Sequence, residues 1–281
     1  MLRLATIATV ALLVTGCGRA PSPLAPSMSG SIGVPHRGIL EGGKELPAEG
    51  DGYKWLRNDD RHYGLPRFVA TIERAAKAVA RERPGSVLAV GDLSTTRGGM
   101  LMPHFSHRTG RDADLLFYLL TPEGTPVESP GFIHVGRDGL AWDEKGKRFL
   151  RLDVERQWLL VKALVEDSEA RVQWIFTGRD VRALLLEWAR ARGERPDTIV
   201  RAMEVMLQPS PGGPHDDHVH VRTACTPAEM AAGCEHTGPR REWLEAASSA
   251  QADATDDVEL ALELLAPLAA DGGRVNASAS N

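Results

Sequence analysis

Apolar and polar positions change period several times along the chain, and each change predicts an element. In "PRFVATIERAAKAVARERPG" the apolar residues Phe68, Val69, Ile72, Ala76 and Val79 recur at helical spacing. Pro66 suits a first helical turn and Pro84-Gly85 a stop, so the segment is an amphipathic helix. The apolar "SVLAVGD" that follows predicts a strand. From Asp112 to Leu119 the period becomes two, with Ala113, Leu115, Phe117 and Leu119 on the core side of a second strand. Further along, the pattern predicts a helix over Val154 to Glu166, a strand over Val172 to Thr177, a helix over Arg179 to Ala191 and a short helix over Asp197 to Leu207. The last strand is "HVHVR", with Val219 and Val221 facing one way and His218, His220 and Arg222 the other. Irregularly interspersed strands and helices suggest an α+β class: a single domain, residues 50–246, with a central, mainly antiparallel sheet flanked by helices.

The two ends read differently. "MLRLATIATVALLVTGCG" has a basic Arg3, an apolar run and small residues before Cys17, the pattern of a secretory signal over residues 1–16. The run falls short of the ~20 residues that span a bilayer as a helix. "VTGC" resembles a bacterial lipobox, which implies lipid on Cys17 and an outer-membrane location; a simple cleaved signal is the competing reading. Residues 17–49 begin with a Pro-, Ser- and Gly-rich stretch and are expected to be a disordered tether. Residues 247–281, rich in Ala, Asp and Ser, are expected to be a tail without assigned function.

At 281 residues the chain can bury a full core, and a formal net charge of -5 gives no electrostatic reason to expect nucleic acid as a partner. There are 3 cysteines. If Cys17 carries lipid, Cys225 and Cys234 remain as a pair in an oxidising compartment, and a disulfide between them would stabilise by about 2 to 3 kcal/mol.

The chemistry concentrates in "SHRTGRDADLLF" and "HDDHVHVR". His218 and His220 project from the strand face opposite the buried valines, and Asp114 projects opposite the apolar positions of its own strand. Should these strands be neighbours, His220 and Asp114 converge, and Gly110 lets the preceding turn fold His107 over them. Two imidazoles and a carboxylate with one open position make a usual catalytic zinc arrangement. Spacing alone leaves two readings, a metal site and a set of solvated strand polars.

The segments "GDLSTTRGG", "HFSHRTGRDADL" and "HDDHVHVR", with Cys225 and Cys234 downstream, resemble the penicillin-insensitive murein endopeptidases. These are relatives of the lysostaphin-type peptidases, the D-alanyl-D-alanine metallopeptidases and the hedgehog signalling domain. The resemblance covers about Gly50 to Leu244. It implies zinc ligands at His107, Asp114 and His220, a catalytic histidine at His218, and hydrolysis of the D-alanyl to meso-diaminopimelyl cross-link between peptidoglycan stem peptides. Zinc would polarise the scissile carbonyl and lower the pKa of its water to about 7. His218 would then move the proton to the leaving amine. The S-x-x-K and K-T-G patterns of serine penicillin-binding enzymes do not occur, so a β-lactam finds no serine to acylate.

Other polar residues carry two readings each. Asp112 either accepts a ligand histidine's second N–H or is a solvated strand-end carboxylate. His215 either lines the site and assists proton transfer or is an exposed loop histidine. His104 matches a position that the family can use for a second metal. Its partners are not evident in "HVGRDGLAWDEKGKR", where His134, Asp138 and Asp143 are either substitutes or loop polars. Arg222 either binds a substrate carboxylate or is a salt-bridged structural arginine. The Pro- and Gly-rich "LQPSPGGP" is expected to border the cleft. Two other functions fit the same residues: a D,D-carboxypeptidase, and a non-catalytic wall-binding or signalling module.

Overall fold

The period-two segments around Asp114 and His220 are neighbouring antiparallel strands, with His220 directly across from Asp114 and Arg222 across from Asp112. The computed structural model describes residues 27–209, 213–239 and 241. The predicted signal, the lipidation site Cys17, the start of the tether and the C-terminal tail lie outside the described residues.

In chain order, β1 (Gly30–Val34), β2 (Arg37–Glu41), β3 (Lys44–Glu45), β4 (Glu49–Gly50), β5 (Tyr53–Trp55) and β6 (Tyr63–Gly64) precede α1 (Pro66–Glu82). There follow β7 (Leu88–Val90), β8 (Asp112–Leu116), β9 (Leu119–Leu120), β10 (Pro126–Val127), β11 (Leu140–Asp143), β12 (Arg148–Leu152) and α2 (Val154–Glu166). The described chain closes with β13 (Val172–Phe176), α3 (Arg179–Ala191), α4 (Pro196–Val205), β14 (Met206–Leu207), β15 (His218–Thr223) and α5 (Pro227–Ala231).

The class is α+β. A 7-stranded sheet runs β14-β13-β15-β8-β7-β5-β4. Its pairings are antiparallel except for β13 with β14 and β5 with β7. Ala113, Leu115, Val219 and Val221 face a core shared with Phe68, Ile72, Trp158 and Leu185 of the helices. Burying such a side chain is worth about 1.5–3 kcal/mol, so the valines and Ala113/Leu115 set the register. A one-residue slip would send the histidines and aspartates into that core. The register therefore puts the polar set on one face by excluding it from the other.

Three expectations are corrected. Part of the predicted tether is folded: β1 and β2 form a hairpin, Leu40 and Leu46 are buried in the core, and Gly33 N–H donates to Gly233 O at 2.9 Å. The low-complexity composition gives way after Gly30 to apolar pairs that find partners far along the chain. The predicted short helix stops at Val205, because Met206 and Leu207 pair in parallel with Ile175 and Phe176 at the sheet edge. "HVGRDGLAWDEKGKR" is not simply a loop. It contains β11, which turns back into β12 within a second sheet of order β10-β9-β12-β11. Trp142 and Phe149 lie exposed on that hairpin, so its apolar positions do not follow a buried pattern.

The Cys225–Cys234 disulfide is formed, with Cα atoms 6.1 Å apart. It closes the end of β15 onto the β1 hairpin through the Gly33–Cys234 bridge. Among the described residues, no helix is long and apolar enough to cross a membrane.

Candidate metal centre

Asp114 and His220 occupy opposed positions on β8 and β15, where cross-strand side chains start about 5 Å apart. His107 reaches them from the turn before β8. Its own backbone is left-handed (φ 65°), a costly conformation for a residue with a Cβ. Ser94 holds the turn: its hydroxyl donates to the His107 carbonyl and accepts from Gly110 N–H at 2.9 Å. Gly110 sits at φ 71°, and a Cβ there would lie 2.8 Å from Leu40 Cδ1 and 3.1 Å from Leu65 N, so only glycine lets the turn close.

The result is a triangle of donor atoms. His107 Nε2 lies 3.3 Å from Asp114 Oδ1, His220 Nδ1 lies 3.3 Å from the same oxygen, and the two nitrogens lie 3.3 Å apart. Ligands about 2.0–2.1 Å from a tetrahedral ion are separated by about 3.3–3.4 Å, so the triangle has the dimensions of one face of such a site. Both carboxylate oxygens of Asp114 are buried without a hydrogen-bond partner, an expensive state that a cation relieves. The imidazoles are oriented for the same purpose. His107 Nδ1 donates to Leu93 O at 2.8 Å, and His220 Nε2 donates to Asp112 Oδ1 at 2.8 Å, which leaves the inward nitrogens as acceptors. The residues present fit a divalent cation.

Electrostatics reinforce this geometry. Burial would raise the Asp114 carboxyl, but His107 and His218 hold it well below the usual range, so it is an anion. Burial acts likewise on Asp112, and there Arg222 and His220 prevail and hold it down. Burial disfavours the charged form of His218, yet the Asp114 and Asp217 carboxylates outweigh this and raise it to about 10. A cation on Asp114 offsets the larger of those two attractions.

His218 approaches the same oxygen from the open side, its Nε2 3.3 Å from Asp114 Oδ1, with 13% of its side chain exposed. Asp217 Oδ1 accepts from His218 Nδ1 at 2.5 Å, and the Phe132 ring meets the imidazole edge-on at 5.2 Å. His215 lies beside them, its ring 5.2 Å from His218, and burial with the neighbouring His220 and His218 pushes it down to about 4. It lies half-buried in the loop before β15.

His104 Nε2 donates to Asp92 Oδ2 at 2.6 Å, and its Nδ1 is 3.7 Å from Asp114 Oδ2. The substitutes considered for its partners are engaged elsewhere: His134 bonds Asp216, Asp138 accepts from Leu140 N–H, and Asp143 holds Arg148 and Gly146 N–H. Asp112 is fully buried and is no solvated strand-end group. Arg222 is 2% exposed and donates from Nε to Asp112 Oδ1 at 2.7 Å, with its guanidinium 5.4 Å from the Phe176 ring. The substrate-carboxylate reading of Arg222 is corrected: the neighbouring strand supplies its anion and the fold covers it.

Asp92, Ser94, Phe132 and Asp217 take parts that the sequence reading did not assign. Asp92 and Ser94 lie inside "GDLSTTRGG" and Asp217 inside "HDDHVHVR", so the signal was membership of the same short motifs.

A His–Asp–His triangle, two of its members on neighbouring strands and one on the preceding turn, with the His218 imidazole beside it, has the dimensions of a metallohydrolase centre. Residues 31–253 match the family model described as penicillin-insensitive murein endopeptidase, and the chain belongs to that family. A penicillin-insensitive murein endopeptidase of Haemophilus influenzae is 30% identical over 227 residues, covering 78% of this chain and 71% of that protein. Relatives of the same description from Escherichia coli O1:K1 and Salmonella paratyphi C are 34% identical over 121 residues, 40% of this chain. Those matches span 44% of the two relatives' length.

Proposed function

We propose that this chain is a zinc-dependent murein D,D-endopeptidase that hydrolyses D-alanyl to meso-diaminopimelyl cross-links, acting in the cell envelope from a lipid anchor on Cys17. The observation that carries the reading is the 3.3 Å triangle of His107 Nε2, Asp114 Oδ1 and His220 Nδ1 in a member of this family. These three residues would hold the metal. When bound, the ion supplies Lewis acidity to the scissile carbonyl and acidifies water at the open position.

The remaining steps belong to the protein. His218, with its Nδ1 proton pinned on Asp217, presents Nε2 toward the centre, accepts the proton of the attacking water and returns it to the leaving amine. Asp112 and Arg222 hold His220 in the tautomer that points Nδ1 inward. His215, neutral at physiological pH, adds a hydrogen-bonding group at the mouth without a competing charge. No acyl-enzyme forms, so β-lactams have no nucleophile to capture.

Purified muropeptide dimers, digested with and without a chelator and analysed by mass, test the reading. Conversion of dimers to monomers that stops with chelator and returns with zinc is the expected outcome. Release of D-alanine with dimers intact would make the chain a carboxypeptidase, and no product at all would leave a binding module.

A further inference from the structure

A cavity of about 710 Å³ lies beside the metal centre rather than over it. Leu56, Arg57, Phe132, Trp142 and Lys145 contribute to its walls. Phe132 is the shared partition. One side of it meets His218, and its Cζ would be 3.1 Å from a Cβ on Gly91, where Asp114 Cβ would be 3.3 Å away. The floor loop is tied to the catalytic loop as well, because His134 Nδ1 bonds Asp216 Oδ1 at 2.6 Å and Val135 N–H donates to Asp216 O at 2.7 Å. Groove and centre are thus one continuous surface.

Two side chains give the groove a chemical character. Arg57 stands at the inner end with its guanidinium 5.7 Å from the Phe132 ring. Its Nη2 is anchored on Asp92 and its Nε is 3.4 Å from Asp59, while Nη1 has no partner among the described residues. At the outer end Trp142 is 43% exposed, yet its ring is fixed. Nε1 donates to Glu144 at 2.6 Å, and the opposite strand's Phe149 packs against it at 4.9 Å. An exposed indole held in one orientation costs little entropy to use and offers an apolar face. A lining in which Leu56, Pro130, Phe132, Ile133 and Trp142 are apolar and Asp143, Glu144 and Lys145 are charged, with the Asp92-anchored Arg57 at the reacting end, suits an extended peptide that has small side chains, an aliphatic diamino-acid segment with a free amine, and a carboxylate near the scissile bond.

We infer that this groove is a substrate subsite which receives one stem-peptide arm of the cross-link, with a carboxylate on Arg57 and the aliphatic segment across Phe132 and Trp142. This rests on the proposed function, and it makes Trp142 and Arg57 determinants of the preference for cross-linked over short substrates.

The test uses two substrates that share the scissile bond, a purified cross-linked dimer and a truncated peptide lacking the arm beyond it on either side. Trp142→Ala is expected to lower kcat/KM for the dimer about tenfold through KM and to leave the truncated peptide unchanged. Arg57→Gln is expected to act in the same direction with metal content preserved. Calorimetric titration of the dimer into metal-loaded His218→Ala protein, with and without Trp142→Ala, reads binding without turnover. Tryptophan-dependent binding alongside a wild type that cleaves nothing would keep the subsite and discard the endopeptidase reading. Equal kcat/KM on the dimer for wild type and Trp142→Ala, equal losses on both substrates, or no binding of the dimer would overturn the subsite.

Discussion

His220 and Asp112 share a hydrogen bond of 2.8 Å through the outer ring nitrogen, and this bond fixes which nitrogen faces Asp114. Asp112 is itself held by Arg222 at 2.7 Å, so an ion pair sealed in the sheet orients His220, the proposed ligand. Replacing Asp112 by Asn weakens the anchor and puts the buried Arg222 charge beside a neutral amide. Metal affinity is expected to fall about 10- to 100-fold, with a lower melting temperature. Competition against a chromophoric chelator checks the first, and an unchanged metal affinity would show that Asp112 does not orient His220.

The roles proposed for His218 and Asp217 separate proton transfer from metal binding. His218→Ala is expected to retain one equivalent of metal while kcat falls about 10²- to 10⁴-fold. Asp217→Asn keeps the imidazole but loosens its tautomer, and about a 10- to 100-fold loss is expected. Metal analysis alongside turnover checks both. Loss of the metal in His218→Ala would move that residue into the ligand set.

The parts of this centre differ in how far the chain's pattern discloses them. His220 and Asp114 are legible because a period of two, set against Val219, Val221, Ala113 and Leu115, forces them onto the other face. His107 is legible only together with Gly110, since a turn of unusual backbone must bring it in. Asp92 and Asp217 are not, because carboxylates that orient other side chains have no periodicity of their own. Arg222 falls on the predicted face, but its partner Asp112 comes from a strand 110 residues earlier in the chain, and local pattern carries no such information. The β1 hairpin was hidden for the same reason: Leu40 meets Gly98 and Gly110 across the fold, while its local surroundings resemble a linker.

That dependence gives a structural prediction. Gly110→Ala would strain a left-handed backbone and press a methyl group toward Leu40 and Leu65. Loss of more than about 1 kcal/mol is expected from the backbone alone. The denaturant midpoint measures it. In a double-mutant cycle, Leu40→Ala should relieve part of the loss, because the two sites share one space. Strict additivity would show that the strain is confined to the backbone.

A last prediction concerns the clasp between the helical layer and the disulfide segment. Arg67, at the start of α1, donates from Nε to Glu229 Oε1 at 2.6 Å and from Nη2 to Oε2 at 2.9 Å, while Nη1 bonds Thr223 Oγ1 at 2.6 Å. Burial would raise the Glu229 carboxyl, but Arg67 and the Thr226 N–H lower it on balance. The folded protein therefore keeps Glu229 ionised to a lower pH than the unfolded chain does. Its contribution to stability is complete above the ordinary carboxylate range and is lost as pH falls through the depressed folded value. Glu229→Gln removes that contribution, so the variant should be less stable than wild type near neutrality and approach it as acid is added. Denaturant unfolding between roughly pH 3 and 7 reads the difference. A gap that stays constant across this range would mean that the clasp works by packing and not by charge.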